Sequence, residues 1–167
     1  MKRYISIVAF FFIQLNFSQT VDFNIIKFKG LSFYSLKSEI VEKMGKPKKI
    51  FKPNYECGFL SNDEREPTYF TLDYGKIKFT GSKTEKYVLE KINFENNSSI
   101  ILYYGKHKLS CKTTFNELVE IFGKGIIKLL KESSNRRFTI MHLNNDDGMI
   151  IEIKNGKLIG IEYWSPC

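Results

Sequence analysis

The sequence predicts an α+β fold made of two tandem repeats, each a short helical segment packed on an antiparallel sheet. Three observations lead there. Leu31-Ser32 through Met44-Gly45-Lys46-Pro47 reappears 78 positions later as Leu109-Ser110 through Phe122-Gly123-Lys124-Gly125, with Glu39, Val41, Glu42, Gly45 and Lys46 matched by Glu117, Val119, Glu120, Gly123 and Lys124. Behind each copy come strand-like segments that alternate apolar and polar residues. The last of them echo each other as Leu89-x-x-Ile92-x-Phe94 and Leu158-x-x-Ile161-x-Tyr163. The repeats divide at 19–97 and 98–167 and are expected to form one compact unit.

Residues 1–18 stand apart. Lys2 and Arg3 precede an apolar run from Tyr4 to Leu15 that ends in small and polar residues, the pattern of a secretory signal peptide. The run falls short of the ~20 residues needed to cross a bilayer. Cleavage after Ser18 is therefore expected, with Gln19 as the new N-terminus. No cysteine lies near that junction to accept a lipid. The mature chain is expected to be periplasmic or secreted, without stable membrane insertion.

The elements follow in order. Phe23 to Phe28 reads as a strand. Leu36, Ile40 and Met44 form an apolar stripe on a first helix, with Ser35 placed to cap it and Gly45 to end it. Strands are expected at Tyr69–Tyr74, Lys76–Phe79 and Tyr87–Phe94, and a further one at Ile100–Tyr104. In the second helix Phe115, Leu118, Val119 and Phe122 fall on one face, and Thr114 with Glu117 spells a capping box before Gly123. Strands then run over Arg137–Leu143, Met149–Lys154 and Lys157–Trp164. Asn155-Gly156 between the last two predicts a tight hairpin. Alternation turns Phe70, Leu72, Ile77, Phe79, Phe138, Ile140, Ile151 and Ile153 toward the core, and Tyr69, Thr71, Thr139, Met141 and Trp164 away from it.

The chain carries 26 Lys and Arg against 18 Asp and Glu, a formal charge of +8. The lysines are scattered, as on an ordinary solvated surface, and no nucleic-acid motif is present. Cys57, Cys111 and Cys167 give one disulfide and one spare thiol in an oxidising compartment. Cys57 with Cys111 would staple the two halves, while Cys167 can pair with either or stay free. None of them stands at a ligand-like spacing from His107 or His142, so no metal and no cofactor are expected.

Gly30-Leu31-Ser32, the run Glu39-Ile40-Val41-Glu42-Lys43-Met44-Gly45-Lys46-Pro47 and the second set from Leu109 to Gly123 resemble the tandem-repeat family of the beta-lactamase inhibitor proteins and the SmpA/OmlA outer-membrane assembly lipoproteins. That resemblance implies an architecture used to bind other proteins rather than to catalyse, and small exported proteins of this kind also recur as periplasmic immunity proteins. The chain departs from the lipoprotein branch in lacking a cysteine at the mature start, and from single-repeat members in carrying two copies.

No catalytic residue is assigned. His107 with Cys111 is the one pairing from which a small exported hydrolase would be built. Recognition residues are expected instead in two acidic loops, Asp63, Glu64 and Glu66 in the first half and Asp146 with Asp147 in the second, together with Tyr69, Met141 and Trp164 on the outer sheet face. The expected function is a non-enzymatic inhibitor or toxin-neutralising immunity protein that occludes a partner protein, a toxin or an enzyme. An envelope assembly factor holding an outer-membrane component is the alternative.

Overall fold

The computed structural model describes residues 19–54 and 68–166. The expected leader lies outside them, as do Cys57, Asp63, Glu64, Glu66 and Cys167. The described chain begins with β1 (Thr20–Val21) and a 3-10 turn at Phe23–Ile25, then β2 (Ile26–Phe28), β3 (Leu31–Ser32), β4 (Tyr34–Ser35), α1 (Lys37–Met44) and β5 (Lys49–Phe51). After the break come β6 (Phe70–Asp73), β7 (Ile77–Gly81), β8 (Tyr87–Asn93), β9 (Leu102–Tyr104) and β10 (His107–Leu109). The rest is α2 (Phe115–Phe122), α3 (Gly125–Glu132), β11 (Arg137–His142), β12 (Gly148–Lys154) and β13 (Lys157–Trp164).

These strands form two sheets, so the molecule is α+β as expected. The long sheet runs β1-β11-β12-β13-β8-β7-β6-β5, with β4 also paired to β8, and the short one runs β10-β9-β2-β3. In the long sheet β13 meets β8 antiparallel, Ile161 opposite Ile92 and Glu162 opposite Lys91. Alternation then decides which side is dry. Ile92, Ile151, Phe79, Leu72 and Ile140 are fully buried, and they share one core with Ile26, Phe28 and Leu102 of the short sheet and with Ile40, Leu118 and Ile126 of the three helices.

Local chemistry explains the boundaries. Thr114 Oγ1 accepts the Glu117 N–H at 3.3 Å while the Glu117 carboxylate accepts the Thr114 N–H at 2.7 Å, which starts α2 as a closed capping box. Asn155-Gly156 takes the left-handed dihedrals of a two-residue hairpin turn, and the Gly156 carbonyl then accepts the Phe115 N–H at 2.9 Å, docking that turn on the start of α2.

Several expectations need correction. Ser35 does not cap α1; its hydroxyl donates to the Ser32 carbonyl at 2.9 Å, and the residue at the cap is Leu36, which has no side-chain acceptor and stays half exposed. Only the carboxylate half of the box forms there, Leu36 N–H to Glu39 at 2.7 Å. Phe23–Ile25 is a 3-10 turn started by Asp22, which accepts the Asn24 N–H, so the first strand shortens to Ile26–Phe28. Lys29-Gly30, both at positive φ, turn β2 into β3, an unpredicted hairpin. Gly123 ends α2 as expected, but an unpredicted third helix, α3, begins two residues later at Gly125. Thr71 is buried, not outward, its hydroxyl 2.6 Å from that of Thr80.

The contrast between the two helix starts is testable. Thr114→Ala should lower stability by about 1 kcal/mol, whereas Leu36→Ser, which supplies the missing acceptor, should leave stability unchanged or raise it by a few tenths. Urea unfolding midpoints at constant slope give both readings.

Candidate functional site

A polar cluster lies under the β11–β12 turn. His142 ends β11 facing inward, and the chain returns through Leu143–Asp147 to β12. The backbone closes the turn with His142 N–H to the Asp147 carbonyl at 2.8 Å, and β1 ties it from the side, the Val21 carbonyl accepting the Leu143 N–H at 2.9 Å. The side chain of Asp147 then folds under the turn rather than out into solvent.

Its carboxylate is met by Tyr34 and Tyr163 from other strands and by the neighbouring His142, whose Nδ1 also lies 3.0 Å from the Asn145 amide nitrogen. Tyr163 on β13 donates to Oδ2 at 3.0 Å, Tyr34 on β4 to the same oxygen at 3.3 Å, and His142 Nδ1 stands 2.9 Å from Oδ1. The imidazole is nearly enclosed, stacked on Phe23 at 4.2 Å, and Phe23 stacks in turn on Phe33 at 4.1 Å. Burial first, then the Asp147 charge, raises both tyrosine hydroxyls well above the ordinary phenol range. They therefore stay protonated and keep donating.

The arrangement orients a carboxylate and an imidazole, which is the lower half of a nucleophile-base-acid triad. Among the described residues no serine, cysteine or lysine hydrogen-bonds to His142, and the ring lies against Phe23. What the cluster does is fix the turn above it. Leu143, Asn144, Asn145 and Asp146 are exposed on that turn, Leu143 at 48%, with Asn144 held at φ 63°.

Beside the turn lies the outer face of the long sheet. Register places Met141, Gly148 and Trp164 in one row across β11, β12 and β13. The two large side chains thus flank a glycine, and a Cβ on Gly148 would stand 2.8 Å from the Ile140 carbonyl oxygen. The next row is Thr139, Ile150, Glu162 and Lys91, and the row beyond holds Arg137, Glu152 and Gly160. Charges alternate along it: Lys91 to Glu162 at 2.8 Å, Glu162 to Arg137 at 3.2 Å, and Arg137 to Glu152 at 2.9 Å. Glu152 lies flat because its neighbour is Gly160, where a Cβ would come within 2.7 Å of its carboxylate.

The sequence-predicted residues divide accordingly. Met141, Trp164 and Asp146 come together around the turn. Asp147 turns inward, contrary to the expectation of a solvated loop carboxylate, because the part-buried Tyr34, His142 and Tyr163 outcompete water for it. Tyr69 is half buried, its hydroxyl donating to Glu85 at 3.1 Å next to β6, five strand spacings or roughly 24 Å from β11. Among the described residues Cys111 has no disulfide partner, Cys57 and Cys167 lying outside them, and no hydrogen bond links it to His107 on β10. Sequence reasoning missed His142, Tyr34 and Tyr163; the only available sign was a histidine and an aspartate on either side of one predicted hairpin.

No protein-family model, no curated protein and no solved structure matches this chain. Among the described residues no helix is long and apolar enough to cross a membrane, and no three His, Cys, Asp or Glu side chains gather as a metal site would need.

The tyrosines predict a pH limit. Their folded values are raised and their unfolded values lie near about 10, so their contribution is complete below that pH. It is lost as the unfolded chain ionises and the folded one does not. Stability should fall from about pH 10 upward, and Tyr34→Phe with Tyr163→Phe should flatten that fall while lowering stability near neutrality by about 1–3 kcal/mol. Chemical unfolding over a pH series measures both.

Proposed function

We propose that the protein is an exported, non-enzymatic binding module that seats the outer face of β11–β13 and the adjoining turn on another protein and occludes its working surface, as an inhibitor or a toxin-neutralising immunity protein does. The observation that carries this reading is the Met141–Gly148–Trp164 row beside a turn locked from below. Tryptophan and methionine are favoured interface anchors. A turn fixed before contact loses little freedom on binding. The flanking ladder of Lys91, Glu162, Arg137 and Glu152 offers both signs of charge at fixed spacing, which serves selection of a partner more than raw affinity.

The tandem-repeat architecture belongs to the same proposal. Its support is positional: Ile92 and Ile161, 69 apart in sequence like Leu89 and Leu158, face each other across β8 and β13. In the short sheet Lys27 faces Tyr103, 76 apart like the turns at Lys29-Gly30 and Gly105-Lys106. Equivalent residues that pair with each other are what a two-fold axis between repeats produces. Export rests on the signal-like first 18 residues.

Affinity capture from the envelope and secreted fractions of the producing cell tests the function. The expected result is one soluble protein bound one to one, its activity suppressed on binding, with Trp164→Ala and Leu143→Asp each weakening the complex by at least tenfold, roughly the scale of an anchor residue. Capture of outer-membrane assembly components instead would replace this reading with the envelope one. Turnover of a substrate that depends on Cys111 would refute both.

A further inference from the structure

A second feature lies on another part of the molecule, where the β2–β3 turn, the end of α1, the β6–β7 turn and the segment before β9 enclose an open hollow of about 630 Å³. Three lysines line it, Lys29, Lys48 and Lys76, and among the described residues no aspartate or glutamate does. Among the described residues Lys29 and Lys48 form no ion pair, and the Lys76 ammonium donates to the backbone carbonyl of Glu95, whose carboxylate pairs with Lys154 at 2.6 Å and also feels the Lys76 charge. Positive charge therefore accumulates here, with Glu95, shared between Lys76 and Lys154, as its compensation among the described residues. The surrounding sequence shares the bias, since residues 23–38 and 96–116 contain lysines but no acidic residue.

The hollow is built rather than incidental. Gly75, at φ +88°, lets the β6–β7 turn close, its N–H donating to Asp73 at 2.6 Å. Its bare Cα also makes room for Lys48, whose ammonium would lie 3.2 Å from any Cβ there. Asn97 accepts both the Ser99 N–H and its hydroxyl through Oδ1, at 3.0 and 2.7 Å, and its amide nitrogen donates to no group among the described residues. Tyr74 covers the exposed end of α1 by donating to the Gly45 carbonyl at 3.0 Å. The apolar part of the lining is the partly exposed Met44 with the buried Phe28 and Ile100 behind it.

We propose that this hollow binds a phosphate monoester, with the phosphoryl group among Lys29, Lys48, Lys76 and the Asn97 amide and the organic body against Met44, with Phe28 and Ile100 behind it. Several separate ammonium groups and an amide donor suit a tetrahedral dianion with three terminal oxygens. A planar carboxylate is better matched by the fork of an arginine, and none lines the hollow. The volume lies within the range of small-molecule sites. The ester is either a soluble phosphorylated compound or a lipid headgroup at a membrane surface, and both present the same chemistry.

Titration of the purified protein with phenyl phosphate and with inorganic phosphate, followed by backbone amide NMR, tests this, alongside co-sedimentation with phosphatidylcholine vesicles with and without phosphatidic acid. The expected result is saturable binding, tighter for phenyl phosphate than for inorganic phosphate, with shifts at residues 74–77 and 97–100. Lys29→Met and Lys48→Met should each weaken it on the order of tenfold, with Lys48→Arg retaining part of the affinity and Lys108→Met, on the short sheet, none of the loss. These lysines are exposed, so the variants should keep the native fold by circular dichroism. Lysine-dependent binding confined to the phosphatidic acid vesicles assigns the ester to a lipid. Absence of binding in both arms, or equal loss in Lys108→Met, overturns the proposal.

Discussion

The pairing of β8 with β13 is three residues wide, yet it makes one sheet out of two separate meanders. Its centre is Ile92 against Ile161, both buried, and each such side chain contributes roughly 1.5–3 kcal/mol when fully removed from water. On the opposite face the next pair is Lys91 with Glu162. One junction therefore has a dry side that holds the halves together and a wet side that sets their register, since a slip by one residue would place the lysine in the core. β4 adds to the same strand at Tyr34–Val88, so β8 also anchors the segment that leads into α1.

From that junction the polar groups sort into two kinds. Those on the outer face are solvated ion pairs whose individual energies are small, so the ladder from Lys91 to Glu152 is better understood as a fixed pattern of sign than as a source of stability. Asp147 is the other kind. Enclosed with His142, Tyr34 and Tyr163, it would be costly without its donors, and with all three present it ties residues 34, 142 and 163 into one unit beneath an exposed turn. Rigidity at that turn is thus a product of the interior, not of the turn's own residues.

What the sequence made legible follows from the range of each interaction. The stripe of Phe115, Leu118, Val119 and Phe122, the Thr114–Glu117 box and the Asn155-Gly156 turn are local, and each stands as read. Met141 and Trp164 were legible as outward residues because alternation is local too. Their meeting across Gly148 needed the register of three strands. α3 was not legible because Gly123 ends α2 as read, and a new helix opening on a glycine, Gly125, runs against helix propensity. Asp147 looked solvated beside Asp146, and only Tyr34, 113 positions earlier in the chain, shows otherwise. The lysine-lined hollow was equally hidden, its cations lying on three separate turns.

The outer boundary of the long sheet carries one more consequence. Among the described residues its last strand on one side, Lys49–Phe51, is three residues long and sits inside the run Gly45-Lys46-Pro47-Lys48-Lys49-Ile50-Phe51-Lys52-Pro53. Two prolines bracket it, the lysines crowd it, and the ammonium of Lys49 lies 5.2 Å over the Phe51 ring. An open edge is where one molecule recruits another by strand addition, and short length, proline and lysine are the means by which natural sheets refuse it. A chain this rich in phenylalanine and isoleucine can therefore be concentrated with its β5 border closed to fibre growth.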